Sequence, residues 1–212
     1  MSTIRKISCL CTVFALLMLA TASPAFAQVP NTIEVTPPTL TVNEEDLPLP
    51  VPFEVNVTVY EVENVWGWQA KLYFNASILQ CTGTDYPAGH IFDGQATVGP
   101  PAEINNTIGY VLLGLNLLTN EPPYNTFNGT GVLFRMMFNA TDYGVSTMVF
   151  AQAPEIFYTY LYDPDFVEPT LTYIDGEVTV VYEFQSLLLV MLIMVAATAA
   201  VLFGRKMYPS VR

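Results

Sequence analysis

The chain is short of positive charge, cysteine and histidine and, past its first 27 residues, of serine; each shortage removes a class of function. Seven Lys and Arg stand against 19 Asp and Glu in 212 residues, a formal net charge of −12. Between Gln28 and Tyr182 the basic residues are Lys71 and Arg135 alone. Such an acidic field repels nucleic acid and anionic polymers, so no nucleic-acid partner is expected. Of the three cysteines, Cys9 and Cys11 lie near the N-terminus, which leaves Cys81 with no partner for an internal disulfide. Cys81 reads as a small buried residue beside Leu79. A nucleophile–base arrangement needs a histidine near a Ser or Cys. The one histidine, His90, stands in a Gly-rich loop, and Ser77 and Ser146, the only serines between Gln28 and Tyr182, lie outside any G-x-S-x-G turn. A glycosidase needs only two placed carboxylates, which an acidic chain offers by count alone. The expectation is a protein that is not an enzyme and needs no cofactor, calcium being the one ion its acids would suit.

Long apolar runs are confined to the two ends. Arg5 and Lys6 precede an apolar run from Cys9 to Ala20, and small residues follow as far as Ala25-Phe26-Ala27. A basic start, a short apolar stretch and an A-x-A ending predict a signal peptide over residues 1–27. No charge occurs between Glu183 and Arg205, and Leu187 to Phe203 is apolar except for Thr198. At about 1.5 Å per residue that stretch reaches roughly 30 Å, so residues 183–204 are expected to cross a membrane once. Arg205, Lys206 and Arg212 then place the tail 205–212 in the cytoplasm. The expected location is the cell membrane, with residues 28–182 facing outward at the cell surface.

Within 28–182 the helical period is missing and a period of two replaces it. Phe53, Val55, Val57 and Val59 alternate with Glu54, Asn56, Thr58 and Tyr60; after an acidic connector around Glu61 to Asn64, Trp68, Ala70, Leu72 and Phe74 alternate with Gln69, Lys71 and Tyr73. Half-buried strands of this kind need a second sheet to cover their apolar face. Further strands are expected in the Pro-rich lead-in (Thr32 to Val35 or Thr39 to Val42), at Ile108 to Leu115, Val132 to Phe138, Ser146 to Ala151, Ile156 to Tyr162 and Leu171 to Val181, the last broken at Asp175-Gly176. Thr82 to Glu103 reads as a long Gly/Pro loop pinned by Ile91 and Phe92. The fold class expected is all-β, a jelly-roll or immunoglobulin-like sandwich of about nine strands.

The order V-N-V-T-V-Y, N-V-W-G-W-Q-A-K-L-Y-F-N-A-S-I-L, G-T-G-V-L-F-R-M-M-F-N-A-T and I-D-G-E-V-T-V, spread over Thr32 to Tyr182, resembles a cohesin domain. Here Asn75-Ala76-Ser77 stands where the family has Asp-Pro-Ser or similar. The resemblance implies a nine-stranded jelly roll related to certain carbohydrate-binding modules. It also implies capture of dockerin modules on one flat sheet face, with calcium held by the dockerin. Tyr182-Glu183-Phe184, the apolar stretch and Arg205-Lys206 are similar to archaeal Pro-Glu-Phe sorting signals, with Tyr182 where that signal has Pro; this points to an archaeal cell surface.

Three sets of residues are candidates for binding or modification. Tyr158, Tyr160 and Tyr162 share one face of an expected strand, where aligned rings would stack sugars, form a protein hot spot or merely cover the sheet. Trp66 and Trp68 flank Gly67, and alternation puts both on one side, Trp68 in the core and Trp66 open for binding. Asp163 and Asp165, with Glu168, would supply calcium oxygens or a solvated turn. Asn56, Asn75, Asn105, Asn128 and Asn139 each begin an N-x-[ST] glycosylation sequon, and the faces they occupy would be poor docking surfaces. The function expected is capture of a secreted, dockerin-like protein at the cell surface. Direct polysaccharide binding, or a structural glycoprotein of the envelope, is the alternative.

Overall fold

The computed structural model describes residues 29–43, 49–118, 124–182 and 191–196. The signal peptide 1–27 and the tail 205–212 lie outside the described residues, and the expected membrane stretch 183–204 is described only over 191–196, which are helical. Among the described residues no helix is long and apolar enough to cross a membrane.

Two sheets enclose one core. The first has the order β12-β1-β3-β9-β5, made of β1 (Thr32–Thr36), β3 (Val51–Val65), β5 (Leu79–Asp85), β9 (Phe127–Ala140) and β12 (Thr172–Ile174). The second runs β2-β13-β10-β4-β8-β6, from β2 (Thr39–Asn43), β4 (Gly67–Tyr73), β6 (Thr97–Val98), β8 (Tyr110–Leu117), β10 (Gly144–Phe150) and β13 (Gly176–Val181). Two short strands lie off that path, β7 (Glu103–Asn105) against β8 and β11 (Tyr160–Tyr162) against β4. The all-β sandwich is thus present. Its strand segments outnumber the nine expected because several strands are interrupted where they change sheet or leave it.

The first and last strands of the sandwich change sheet in step. Pro37 and Pro38 separate β1, in the first sheet, from β2, in the second, and Asp175 likewise separates β12 from β13. β12 runs parallel to β1 and β13 parallel to β2. The Asp175 carboxylate secures its corner by accepting the Phe150 N–H at 3.0 Å.

The expected acidic connector at Glu61 to Asn64 is not a connector. β3 runs through it to Val65, and its register against β9 shifts between Val59 and Val62 and again between Val62 and Val65. Glu61 and Asn64 sit at φ 49° and 55°, the left-handed positions of two bulges. Each bulge adds a residue, so the buried positions fall three apart, at Val59, Val62 and Val65. A period of three in a strand reads from sequence as the strand's end. The amides freed at the bulges are taken by side chains: Glu61 N–H donates to Thr130 Oγ1 at 3.2 Å and Asn64 N–H to Asn128 Oδ1 at 2.9 Å.

Rings lock the sheets together. Trp68 of β4 stacks on Phe134 of β9 with centroids 5.4 Å apart, and Phe74 meets Phe138 edge-on at 5.2 Å. Ile78 and Leu79 are buried after the Asn75 turn, as expected. The loop expected from Thr82 to Glu103 is shorter: β5 runs on to Asp85 along β9, with Gly83 at a register shift and not in a loop, β6 takes Thr97–Val98 and Glu103 opens β7, so the buried Ile91 and Phe92 pin only the stretch between β5 and β6. Ile108, expected in a strand, is exposed in the turn before β8. Cys81 is buried, and burial pushes its thiol up to about 11. An aromatic disulfide reagent at pH 8 is therefore expected to leave Cys81 untouched in the native protein and to titrate one thiol there after denaturation; fast labelling of the folded chain would contradict this packing.

Candidate aromatic binding face

The outer face of the second sheet carries the features a binding surface needs. On β4, Trp68, Ala70 and Leu72 point into the core, so Gly67, Gln69, Lys71 and Tyr73 point outward. On β8, Val111, Leu113, Leu115 and Leu117 point inward, leaving Tyr110, Leu112, Gly114 and Asn116 outside. Gly67 keeps the floor of this face low, because a Cβ there would lie 2.5 Å from the Tyr162 ring and from Asn116 Oδ1.

The strand expected over Ile156 to Tyr162 is a strand only at Tyr160–Tyr162. β10 pairs with β4 at Val149 and Phe150, the chain then leaves the sheet, and β11 rejoins β4 with Tyr160 opposite Gln69. The excursion is closed at its neck: Thr159 N–H donates to Ala151 O at 2.8 Å, and Lys71 N–H to Thr159 Oγ1 at 3.0 Å. It is latched at its tip by Glu155, whose carboxylate takes Lys71 Nζ at 2.9 Å and the Tyr73 hydroxyl. Lys71 lies over the Tyr73 and Tyr110 rings at 4.8 and 5.3 Å, and Tyr110 in turn donates to Glu103. The latch leaves Ile156 77% and Phe157 59% exposed, two large apolar side chains held out into solvent. A sequence pattern of alternating rings gave no sign that this tip would leave the sheet.

The Glu155 carboxyl is held below the usual carboxylate range by its hydrogen bonds, first from Lys71 and then from Tyr73. A depressed folded value stabilises the latch above the unfolded value and loses that stabilisation as pH falls through the folded one. Proteolysis confined to residues 151–159 should therefore rise as the pH is lowered below the usual carboxylate range, and Glu155→Gln should give the same nicking at pH 7. Equal resistance of wild type and variant would show that the latch does not hold the tip.

Tyr158, Tyr160 and Tyr162 come together as one row: Tyr158–Tyr160 centroids are 5.2 Å apart, Tyr160–Tyr162 5.7 Å, and Tyr162 stacks on Phe166 at 5.6 Å. Tyr158 donates to both oxygens of Glu168 at 2.8 Å, and Gln69 Nε2 supports the row by donating to Tyr158 O at 2.9 Å. Burial raises the Tyr160 and Tyr162 phenols, so both stay protonated at neutral pH. Trp66 does not share a side with Trp68. It meets Tyr162 and Phe166 at 5.8 Å each, whereas Trp68 turns to Phe134. The reason is that residue 66 joins β3 to β4 outside either strand, where alternation does not apply. Phe166, 72% exposed, was missed in the sequence because it falls in a Pro-Asp turn.

Asp163 is committed to that turn, its Oδ1 accepting the N–H groups of Asp165 and Val167 at 2.9 Å each. Among the described residues no three His, Cys, Asp or Glu side chains are grouped to hold a metal. Neither serine meets His90: Ser146 accepts the Asn75 N–H, Ser77 donates to Asn75 Oδ1, and His90 Nδ1 accepts the Phe92 N–H. Of the sequons, Asn56 and Asn139 lie on β3 and β9 of the first sheet, between inward-facing neighbours. Asn75 and Asn105 cap turns, accepting from Ser77 N and from Thr107 and Ile108 N, and Asn128 caps a bulge.

No family model matches the chain, and no curated protein does. Solved structures do. A type II cohesin domain from the cellulosome of Acetivibrio cellulolyticus matches with TM-score 0.57 and 14% identity over 71% of this chain and 95% of that one. A non-cellulosomal cohesin from the hyperthermophilic archaeon Archaeoglobus fulgidus matches with TM-score 0.51 and 16% identity, covering 74% and 96%. A type I cohesin–dockerin complex from Clostridium thermocellum matches with TM-score 0.52 and 16% identity, covering 71% and 100%. At such identities the likeness is one of fold, and the fold is that of a cohesin.

Proposed function

We propose that this protein is a non-catalytic binding module, held on the outer side of a cell membrane by residues 183–204, that captures a secreted dockerin-like protein on the outer face of its second sheet. The observation that carries the reading is the exposed aromatic band of that face, Phe157 and the row from Tyr158 to Phe166. Such a cluster of large rings at one place supplies the desolvated anchors on which protein interfaces depend. Type I and type II cohesins of the same fold, some of them solved with dockerins bound, support a partner of that kind. The sequons bear on the choice of sheet: glycans on Asn56 and Asn139 would cover the outer face of the first, whereas Asn75, just after β4, and Asn105, opposite Tyr110, lie at one end of the second, away from Tyr160 and Tyr162 opposite Gln69 and Gly67. The signal peptide and the basic tail of the sequence support the orientation, with an archaeal surface as its setting.

The test is capture from the organism's own secreted fraction on immobilised protein, with calcium and again with chelator. A retained protein that carries a dockerin-like sequence and elutes with chelator is expected. Retention that ignores both calcium and the loss of the Phe157 ring would sink the proposal.

A further inference from the structure

Beside the tyrosine row the same face has a cleft of about 220 Å³, which protein capture alone does not explain. Its walls are Tyr160, Tyr162 and Phe157 on one side and Pro100 and Pro101 on the other, and Gly114 lies in its floor. A Cβ on Gly114 would come 2.8 Å from Trp68 O, so the floor is bare backbone. Gln69, Asn116 and Glu103 are its polar lining. Gln69 spends Nε2 on Tyr158 O, and Asn116 spends Oδ1 on the Tyr162 hydroxyl. That leaves the Gln69 carbonyl as an acceptor and the Asn116 amide nitrogen as a donor, both without a partner among the described residues. Glu103 takes the Tyr110 hydroxyl through one oxygen and keeps the other.

We infer that this cleft is a subsite for one uncharged pyranose ring of a glycan. Three observations converge on that ligand. The volume is too small for a drug-sized molecule, whose sites run to roughly 300 Å³ and more, and suits a single six-membered ring. Aromatic and proline faces on two sides match the apolar C–H faces of a pyranose, while an amide acceptor, an amide donor and a carboxylate match hydroxyls that both give and take hydrogen bonds. The lining holds one carboxylate and no cation, which selects against uronic acids, sulfated sugars and phosphates. The inference is independent of protein capture, because the sugar is bound with no partner protein present.

The experiment is saturation-transfer NMR on the full chain in a non-glycosidic detergent, with cellobiose, mannobiose and N,N′-diacetylchitobiose as probes and digalacturonic acid as the charged control. At least one neutral disaccharide should bind saturably, with millimolar or tighter affinity and transfer from aromatic protons. Phe157→Ala and Tyr160→Ala should each weaken it about tenfold, while Glu54→Gln on the other sheet leaves it unchanged. Phe157 projects from the sheet, so its variant decides the matter even if Tyr160→Ala fails to fold. No saturable binding of any neutral probe, preference for digalacturonate, or binding indifferent to Phe157 would each overturn the site. Loss of the sugar with protein capture intact would remove the cleft alone.

Discussion

Replacing Trp68 by alanine is expected to cost about 3–5 kcal/mol, the usual range for a large buried ring, and to lower the melting temperature by roughly 10–20 °C. Trp68 is 1% exposed and stacked face to face on Phe134, so the cavity would open between the two sheets, where neither can move without the other. Phenylalanine at the same place should behave very differently. The Trp68 Nε1 is buried with no hydrogen-bond partner among the described residues. Leaving such a donor unpaired costs about 1–3 kcal/mol, which Trp68→Phe recovers while losing some packed area. Chemical unfolding of the two variants should separate them by at least about 2 kcal/mol. Equal losses would mean that the indole nitrogen does find a partner, or that the ring does not bridge the sheets.

Replacing Phe157 by alanine is expected to weaken capture of the protein partner about 30-fold or more, the effect of losing a hot-spot ring worth about 2 kcal/mol. Phe157 stands on the latched tip, where 59% of it meets solvent, and it adopts φ 59°, a backbone conformation held by the neck and the Glu155 latch. Truncation leaves the sheet pairing beneath untouched, so the melting temperature should hardly change. The dissociation rate should carry most of the effect. Surface-bound kinetics on wild type, Phe157→Ala and the opposite-face control Glu54→Gln would decide it; an unchanged dissociation rate for Phe157→Ala with a faster one for the control would move the interface to the first sheet.

The period of two at Val55 to Val59 and Trp68 to Phe74 made the sandwich legible, because alternation is a local property of an extended chain. The bulges at Glu61 and Asn64 were not legible, since they are settled by Thr130 and Asn128, far along the sequence. The tyrosine row could be read from its spacing. Its surroundings could not: the latch depends on Lys71 meeting Glu155, the cleft on Pro100 and Pro101 facing Tyr160, and the placement of Trp66 on a joint between strands. Each is a meeting of residues more than 30 positions apart, or a break in the regular period that pattern reading depends on. Asp163 shows the converse. A spacing that suits metal ligands was used instead to close a turn.

The joint change of sheet by the first and last strands of the sandwich bears on how the domain responds to pulling. A chain held just beyond Tyr182 and tugged through a partner on the aromatic face would draw on β13 along its own length. That strand lies between β2, parallel to it, and β10, antiparallel to it. Force along the strand shears all of its ladder hydrogen bonds together, whereas force across it would open them one after another. The corner at Asp175 then passes the remaining tension to β12 and the other sheet. The architecture resists traction in the one direction in which a tethered catch would be pulled.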